Sequence, residues 1–150
     1  HCNKQTTLDA CAESSDPLTC THAGCEAITP VRRNKSDEEI LAIAGTGGVI
    51  GITPIRFMLS DPGEEATMND FIAHLEHVIS LAGIDHVGVS SDIKRNGVSK
   101  EETVAYTTER LNGEERWFHL YDALKSRGYS TGDLKKIFGL NFLRVFKANL

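Results

Sequence analysis

The sequence predicts an α/β fold in which short parallel strands alternate with helices. Three apolar runs, each bounded by turn residues, stand at PLTCTH (17–22), GGVIGIT (47–53) and HVGVSS (86–91). Because these runs do not alternate polar with apolar residues, we expect strands that are buried on both faces, as in parallel sheets. Helical patterns lie between them, which indicates βαβ units. Three such strands with their helices make about half of a (β/α)8 barrel, or a small open sheet.

Helices are predicted before and after the first strand. The first covers Lys4 to Glu13. The second begins at Ser36, which is followed three residues later by Glu39 in a capping-box arrangement, and ends at Gly45. The capping-box residues predict where the second helix starts without any information about tertiary structure.

The clearest helix is predicted over residues 68–82, where apolar residues form one continuous stripe. Thr67 caps its start and Gly83 closes it. His74 lies beside the margin of the stripe and His77 points away from it, so both are predicted at the surface. Their spacing in HLEH differs from that of a zinc-binding HExxH helix.

The last third of the chain is predicted to be a polar loop followed by helices. The loop covers residues 93–115 and includes at most a short helix. Three helical segments then follow, at Trp117 to Ser126, Thr131 to Phe138 and Asn141 to Ala148.

Composition places the chain among globular proteins with one domain. Its 150 residues include 16 Lys and Arg against 21 Asp and Glu, a net charge of −5, which argues against a nucleic-acid binder. No apolar run approaches the roughly 18 residues that a membrane span needs. Four cysteines fall within the first 25 residues and are expected to be reduced thiols, which favours a soluble protein of the cytoplasm. A chain that begins with His1 and not with Met is expected to be a processed product, a fragment or a chain whose earlier residues are missing.

Polar residues stand where the predicted strands end. In a (β/α)8 barrel the reactive side chains gather at the carboxyl ends of the strands. The first strand ends at His22 and the third is followed by Asp92, while His1 would lie at the tip of a preceding strand if one existed upstream. Two histidines and an aspartate on one rim suit metal binding or proton transfer. Each also has a structural interpretation, as a hydrogen-bonded histidine or a turn cap, and the residues alone leave both open.

Three segments carry a family resemblance. THAGCEAITPVRRNKSDEE (21–39), HLEHVISLAGIDHVGVSSD (74–92) and GYSTGDLKKIFGLNFLRVF (128–146) resemble, in this order, the carboxyl-terminal part of the membrane dipeptidase (renal dipeptidase) family. Members of that family are metal-dependent dipeptidases with a TIM-type (β/α)8 barrel of the amidohydrolase group. The resemblance therefore implies that residues 1–150 are the carboxyl-terminal half of such a barrel.

The resemblance also implies roles for four residues. His1 and His22, 21 positions apart, match two histidine ligands of the family's second zinc ion. Arg33, the second arginine of RRN, matches the residue that binds the substrate carboxylate. Asp92 matches the aspartate that handles protons. The implied reaction is hydrolysis of a dipeptide by a hydroxide that bridges two zinc ions, with Asp92 passing the proton to the leaving amine.

The chain also departs from the family. It reads DIKRNG after the last strand where the family often has DFDG, which affects substrate preference. The early His-x-Asp pair and the bridging Glu have no counterpart, so the first half of the barrel is expected to be absent from this chain and the chain alone inactive.

The expected partners of the chain are that first half of the barrel, a dipeptide and, in a homodimer, a second copy of the chain. A related amidohydrolase with another substrate and an inactive half-barrel that serves as a binding module are the alternatives.

Overall fold

A computed structural model of the chain describes residues 1–61, 63–93 and 106–150. The strands are β1 (Thr19–Ala23), β2 (Val49–Ile52) and β3 (Val87–Val89). The helices are α1 (Lys4–Glu13), α2 (Asp37–Gly45), α3 (Arg56–Leu59), α4 (Met68–Ala82), α5 (Arg116–Ser126), α6 (Thr131–Lys135) and α7 (Asn141–Ala148), with a 3₁₀ turn at Ile84–His86 and a wide π turn at Lys136–Leu140. Among the described residues, no helix is both long and apolar enough to cross a membrane.

The three strands form one parallel sheet, as predicted, and their order in it is β1-β2-β3. The central strand β2 is buried along its whole length, whereas β1 is only partly covered. Helices α2 and α4 pack on the face of the sheet that carries Ile50 and Ile52, and these elements share the main core. Since neighbouring residues of a strand face opposite ways, Gly51 faces the other side, where Phe142 of α7 lies against it. The fold is therefore α/β, with both faces of the central strand covered.

The helix-start signals in the sequence are confirmed for α2 and α4. Ser36 and Glu39 form the capping box of α2, and Thr67 caps α4 in the same way with Asp70. Three details differ. The short helix α3 was not predicted, the predicted helix 131–138 ends at Lys135 because a wide turn follows, and residues 94–105 of the predicted loop lie outside the described residues.

His74 is fully buried, so the prediction that it lies at the surface was wrong. Its Nδ1 accepts the backbone N–H of Cys25 at 2.8 Å, and its Nε2 lies 3.3 Å from the carbonyl oxygen of Leu59. The loop after β1 and the end of α3 pack over this side of α4, so the buried arc of the helix is wider than its apolar stripe. His77 is half-buried and pairs with Asp37 at 2.7 Å.

Candidate active site

Three of the predicted site residues meet at one end of β1. The Nε2 atoms of His1 and His22 are 3.3 Å apart. A guanidinium nitrogen of Arg33, Nη2, lies 3.0 Å from the first and 3.5 Å from the second. His22 comes from β1, Arg33 from the loop between β1 and α2, and His1 from the residues before α1. Folding thus unites side chains that are 11 to 32 positions apart in sequence.

An irregularity in β1 directs His22. Cys20 pairs with Ile50 and Ala23 with Ile52, so β1 has two residues, Thr21 and His22, where β2 has only Gly51. Two residues opposite one define a β-bulge, a feature that changes the direction of side chains and is common beside active sites. A Cβ on the β2 glycine would lie 2.4 Å from the Thr21 carbonyl oxygen, so only glycine fits opposite the bulge.

The loop that carries Arg33 is held by its neighbour Asn34, which is buried. The Asn34 Oδ1 atom accepts the N–H of Gly24 at 3.0 Å, and its Nδ2 donates to the carbonyl oxygens of Thr29 at 2.9 Å and Met58 at 2.8 Å. A buried amide with short bonds to three backbone segments fixes the loop, because breaking it would leave interior polar groups unpaired. Sequence reasoning did not single out this residue; its place inside RRNK was the only signal.

Hydrogen-bond chemistry assigns the lone pair of His1, and the Thr21 hydroxyl can set the tautomer of His22. A guanidinium group can only donate, so the Nε2 atom of His1 accepts from Arg33 and carries no proton. In His22 the other ring nitrogen, Nδ1, lies 2.8 Å from the Thr21 hydroxyl oxygen. With Nδ1 of His22 as donor to this hydroxyl, both Nε2 lone pairs converge on one point.

The spacing of this histidine pair fits a shared metal ion. Zinc binds imidazole nitrogens at about 2.0–2.1 Å in tetrahedral geometry, which sets two such nitrogens about 3.3 Å apart. The observed 3.3 Å matches this value. Within the described ranges, His, Cys, Asp and Glu side chains form no group of three or more that could hold a metal ion. The described residues therefore bring together two side chains that could bind a metal ion, fewer than the four ligands that zinc usually takes.

Asp92 lies in a cleft next to the histidine pair. The cleft has a volume of about 340 Å³ and is lined by His1, Arg33, Ile55, Phe57, Met58, Asp92 and Tyr106. One wall is thus charged and the other apolar. The Asp92 side chain is exposed, and its backbone is left-handed, with φ of 47°. Such a conformation is uncommon outside glycine and clusters at functional sites.

The thiols close to the site are poor nucleophiles. All four cysteines are free, as predicted. Burial raises the pKa of Cys20, which lines the cleft around His1 and His22, and burial raises the pKa of Cys25 to about 12. Since the thiolate is the reactive form, neither thiol attacks a substrate near neutral pH.

Comparison with known proteins gives the same family over almost the whole chain. The family model of membrane dipeptidases, peptidase family M19, matches residues 1–149. The dipeptidase verJ of Clonostachys rogersoniana is 30% identical over 145 residues, which are 97% of this chain and 35% of that protein. Dipeptidase tcpJ of Claviceps purpurea is 27% identical over 98% of this chain and 33% of its own length.

Solved structures of the family share this fold. The metallopeptidase of Rhodobacter sphaeroides, liganded with a phosphinate mimic of the dipeptide L-Ala-D-Ala, is 25% identical with a TM-score of 0.86 and is matched over 100% of this chain and 41% of its own. Dipeptidase AC, a metallopeptidase of family M19, is also 25% identical, with a TM-score of 0.85. The chain spans about a third to two fifths of the length of these relatives. On the family match over residues 1–149, the chain belongs to the membrane dipeptidase family.

Proposed function

We propose that this chain is the carboxyl-terminal half of a (β/α)8 barrel that hydrolyses dipeptides with zinc. Parallel strands in the order β1-β2-β3, joined through helices α2 and α4, are what a segment of such a barrel contains. Within the described residues β1 pairs only with β2, so its outer edge is free to continue a sheet. The match to 42% of the chain of dipeptidase AC supports this proposal. The other half, in the same polypeptide or a second one, supplies the remaining strands and metal ligands.

The convergence of His1, His22 and Arg33 is the observation that carries the proposal. His1 and His22 would hold a zinc ion through their Nε2 atoms, one of the two ions expected in the complete site. When bound, zinc would supply a Lewis acid that polarises the substrate carbonyl and activates water. Arg33 also lines the adjoining cleft, where its guanidinium can meet a substrate.

In that cleft Arg33 binds the terminal carboxylate of a dipeptide by a two-pronged, charge-assisted contact. Asp92 accepts the proton of the attacking water on a carboxylate oxygen. The water oxygen bonds to the peptide carbon, the C–N bond breaks, and Asp92 returns the proton to the leaving amine nitrogen. The apolar wall of Ile55, Phe57 and Met58 accommodates the substrate side chain.

The experiment is a substitution of Arg33 in the complete barrel. For Arg33→Met we expect KM for a dipeptide to rise about 10- to 100-fold, since a hydrogen bond to a charged group contributes roughly 1.5–3 kcal/mol. The C-terminal amide of the same dipeptide should show an unchanged KM. Arg32→Met, at an exposed neighbour, is the matched control.

Two results would contradict the proposal. An equal rise for the dipeptide and its amide would mean that no substrate carboxylate meets Arg33, which favours an amidohydrolase with another substrate. A complete barrel that takes up no zinc would favour an inactive binding module.

A further inference from the structure

Helix α1 has a weak hydrophobic anchor. None of its residues is fully buried, it carries no marked apolar face, and its Cys11 is only partly buried against the main core. Such a helix gains little from burial of apolar surface. Polar contacts therefore contribute to its position relative to β1, and to the position of the residues just before it.

Lys35 makes the buried polar contact to this end of α1. Its ammonium group donates to the carbonyl oxygen of Cys2 at 3.1 Å, the hydroxyl of Thr7 at 2.9 Å and a carboxylate oxygen of Glu39 at 2.8 Å. These bonds use all three of its donors. Only 9% of the Lys35 side chain and 4% of the Glu39 side chain are exposed. A buried charge with every donor satisfied is a rigid contact, because moving it would leave the charge unpaired.

The carboxylate on the other side is itself fixed. The second oxygen of Glu39 accepts from the backbone N–H and the hydroxyl of Ser36 at 3.0 and 3.1 Å, which makes Glu39 part of the α2 capping box. Lys35 therefore joins the start of α1 to the start of α2 through groups that cannot shift independently.

We propose that Lys35 is a positioning residue for the metal ligand His1. Cys2 directly follows His1, so fixing the Cys2 carbonyl fixes the backbone from which the imidazole extends. The contact keeps the Nε2 atom of His1 opposite that of His22. This inference rests on the proposed zinc site, but it concerns how the site is held together and not which reaction it performs.

The experiment measures zinc affinity of the complete barrel by competition with a chelator, together with thermal unfolding. For Lys35→Met we expect zinc affinity to fall about 10- to 100-fold, the usual effect of losing a residue that orients a ligand. Excess zinc should restore kcat, since the other site groups are intact. Lys4→Met is the matched control, because the Lys4–Glu38 pair joins the same two helices but is more than half exposed; it should leave the affinity unchanged.

A second variant separates positioning from folding. In Lys35→Met with Glu39→Gln, the glutamine preserves the capping box and removes the unpaired carboxylate. We expect this double variant to regain thermal stability but to bind zinc as weakly as Lys35→Met. Recovery of zinc affinity together with stability would overturn the inference, as would wild-type affinity in Lys35→Met. If the wild-type barrel itself binds no zinc, the proposed function has failed and the inference with it.

Discussion

Asn34 offers the sharpest test of how the site loop is held. Its side chain is 4% exposed and makes three short hydrogen bonds, to Gly24, Thr29 and Met58. Each such bond contributes about 1 kcal/mol net, and a buried group left unpaired costs roughly 1–3 kcal/mol. Asn34→Ala removes all three bonds and takes from the Gly24 N–H its acceptor. We therefore expect the free energy of unfolding to fall by about 4–6 kcal/mol.

The assay is equilibrium unfolding in urea of the complete barrel, with Arg32→Ala as the matched control. Arg32 is an exposed neighbour in the same loop, so its removal should change stability by less than about 0.5 kcal/mol. Asn34→Asp adds a second comparison. It keeps the acceptor for Gly24 but sets a carboxylate against the carbonyl oxygens of Thr29 and Met58, so it should be no more stable than Asn34→Ala. A loss below about 1 kcal/mol for Asn34→Ala would refute the reasoning, since it would mean that the loop does not depend on these bonds.

Two further predictions concern the bulge and the buried histidine. Gly51→Ala should lower the free energy of unfolding by about 1–3 kcal/mol, because its Cβ would lie 2.4 Å from the Thr21 carbonyl oxygen. Gly45→Ala is the control and should not destabilise the protein, since an added Cβ there meets no atom within 4 Å. Equal effects of the two substitutions in urea unfolding would count against the bulge. Burial lowers the pKa of His74 below its usual 6.5, so the unfolded chain takes up a proton that the folded chain excludes. The His74 contribution is therefore fully present above about pH 6.5 and is lost as the pH falls. His74→Gln should reduce the dependence of the unfolding free energy on pH below about pH 6.5. If that dependence is unchanged, a group other than His74 causes it.

Local patterns predicted the helices and strands of this chain. Helix α4 follows from its apolar repeat and the Thr67 cap, and α2 follows from Ser36 and Glu39, because these signals act within a few residues of one another. The three strands follow from short apolar runs, and their alternation with helices dictates a parallel sheet. The helix start at Thr131 was predicted correctly. Its end was not, since the wide turn after Lys135 is not encoded in the apolar period.

Contacts between residues that are distant in sequence decided the geometry of the site. The burial of His74 depends on a loop 49 residues earlier in the chain, and the helical pattern of α4 contains no information about that loop. The bulge at Thr21 and His22 exists only relative to β2, so one strand's sequence cannot reveal it. The sequence by itself determined the three strands and every described helix except α3, although not every helix end, and the family resemblance identified the four candidate residues. Only the tertiary structure decided that two histidine nitrogens face each other at 3.3 Å beside Arg33, because that distance depends on long-range contacts such as those of Lys35.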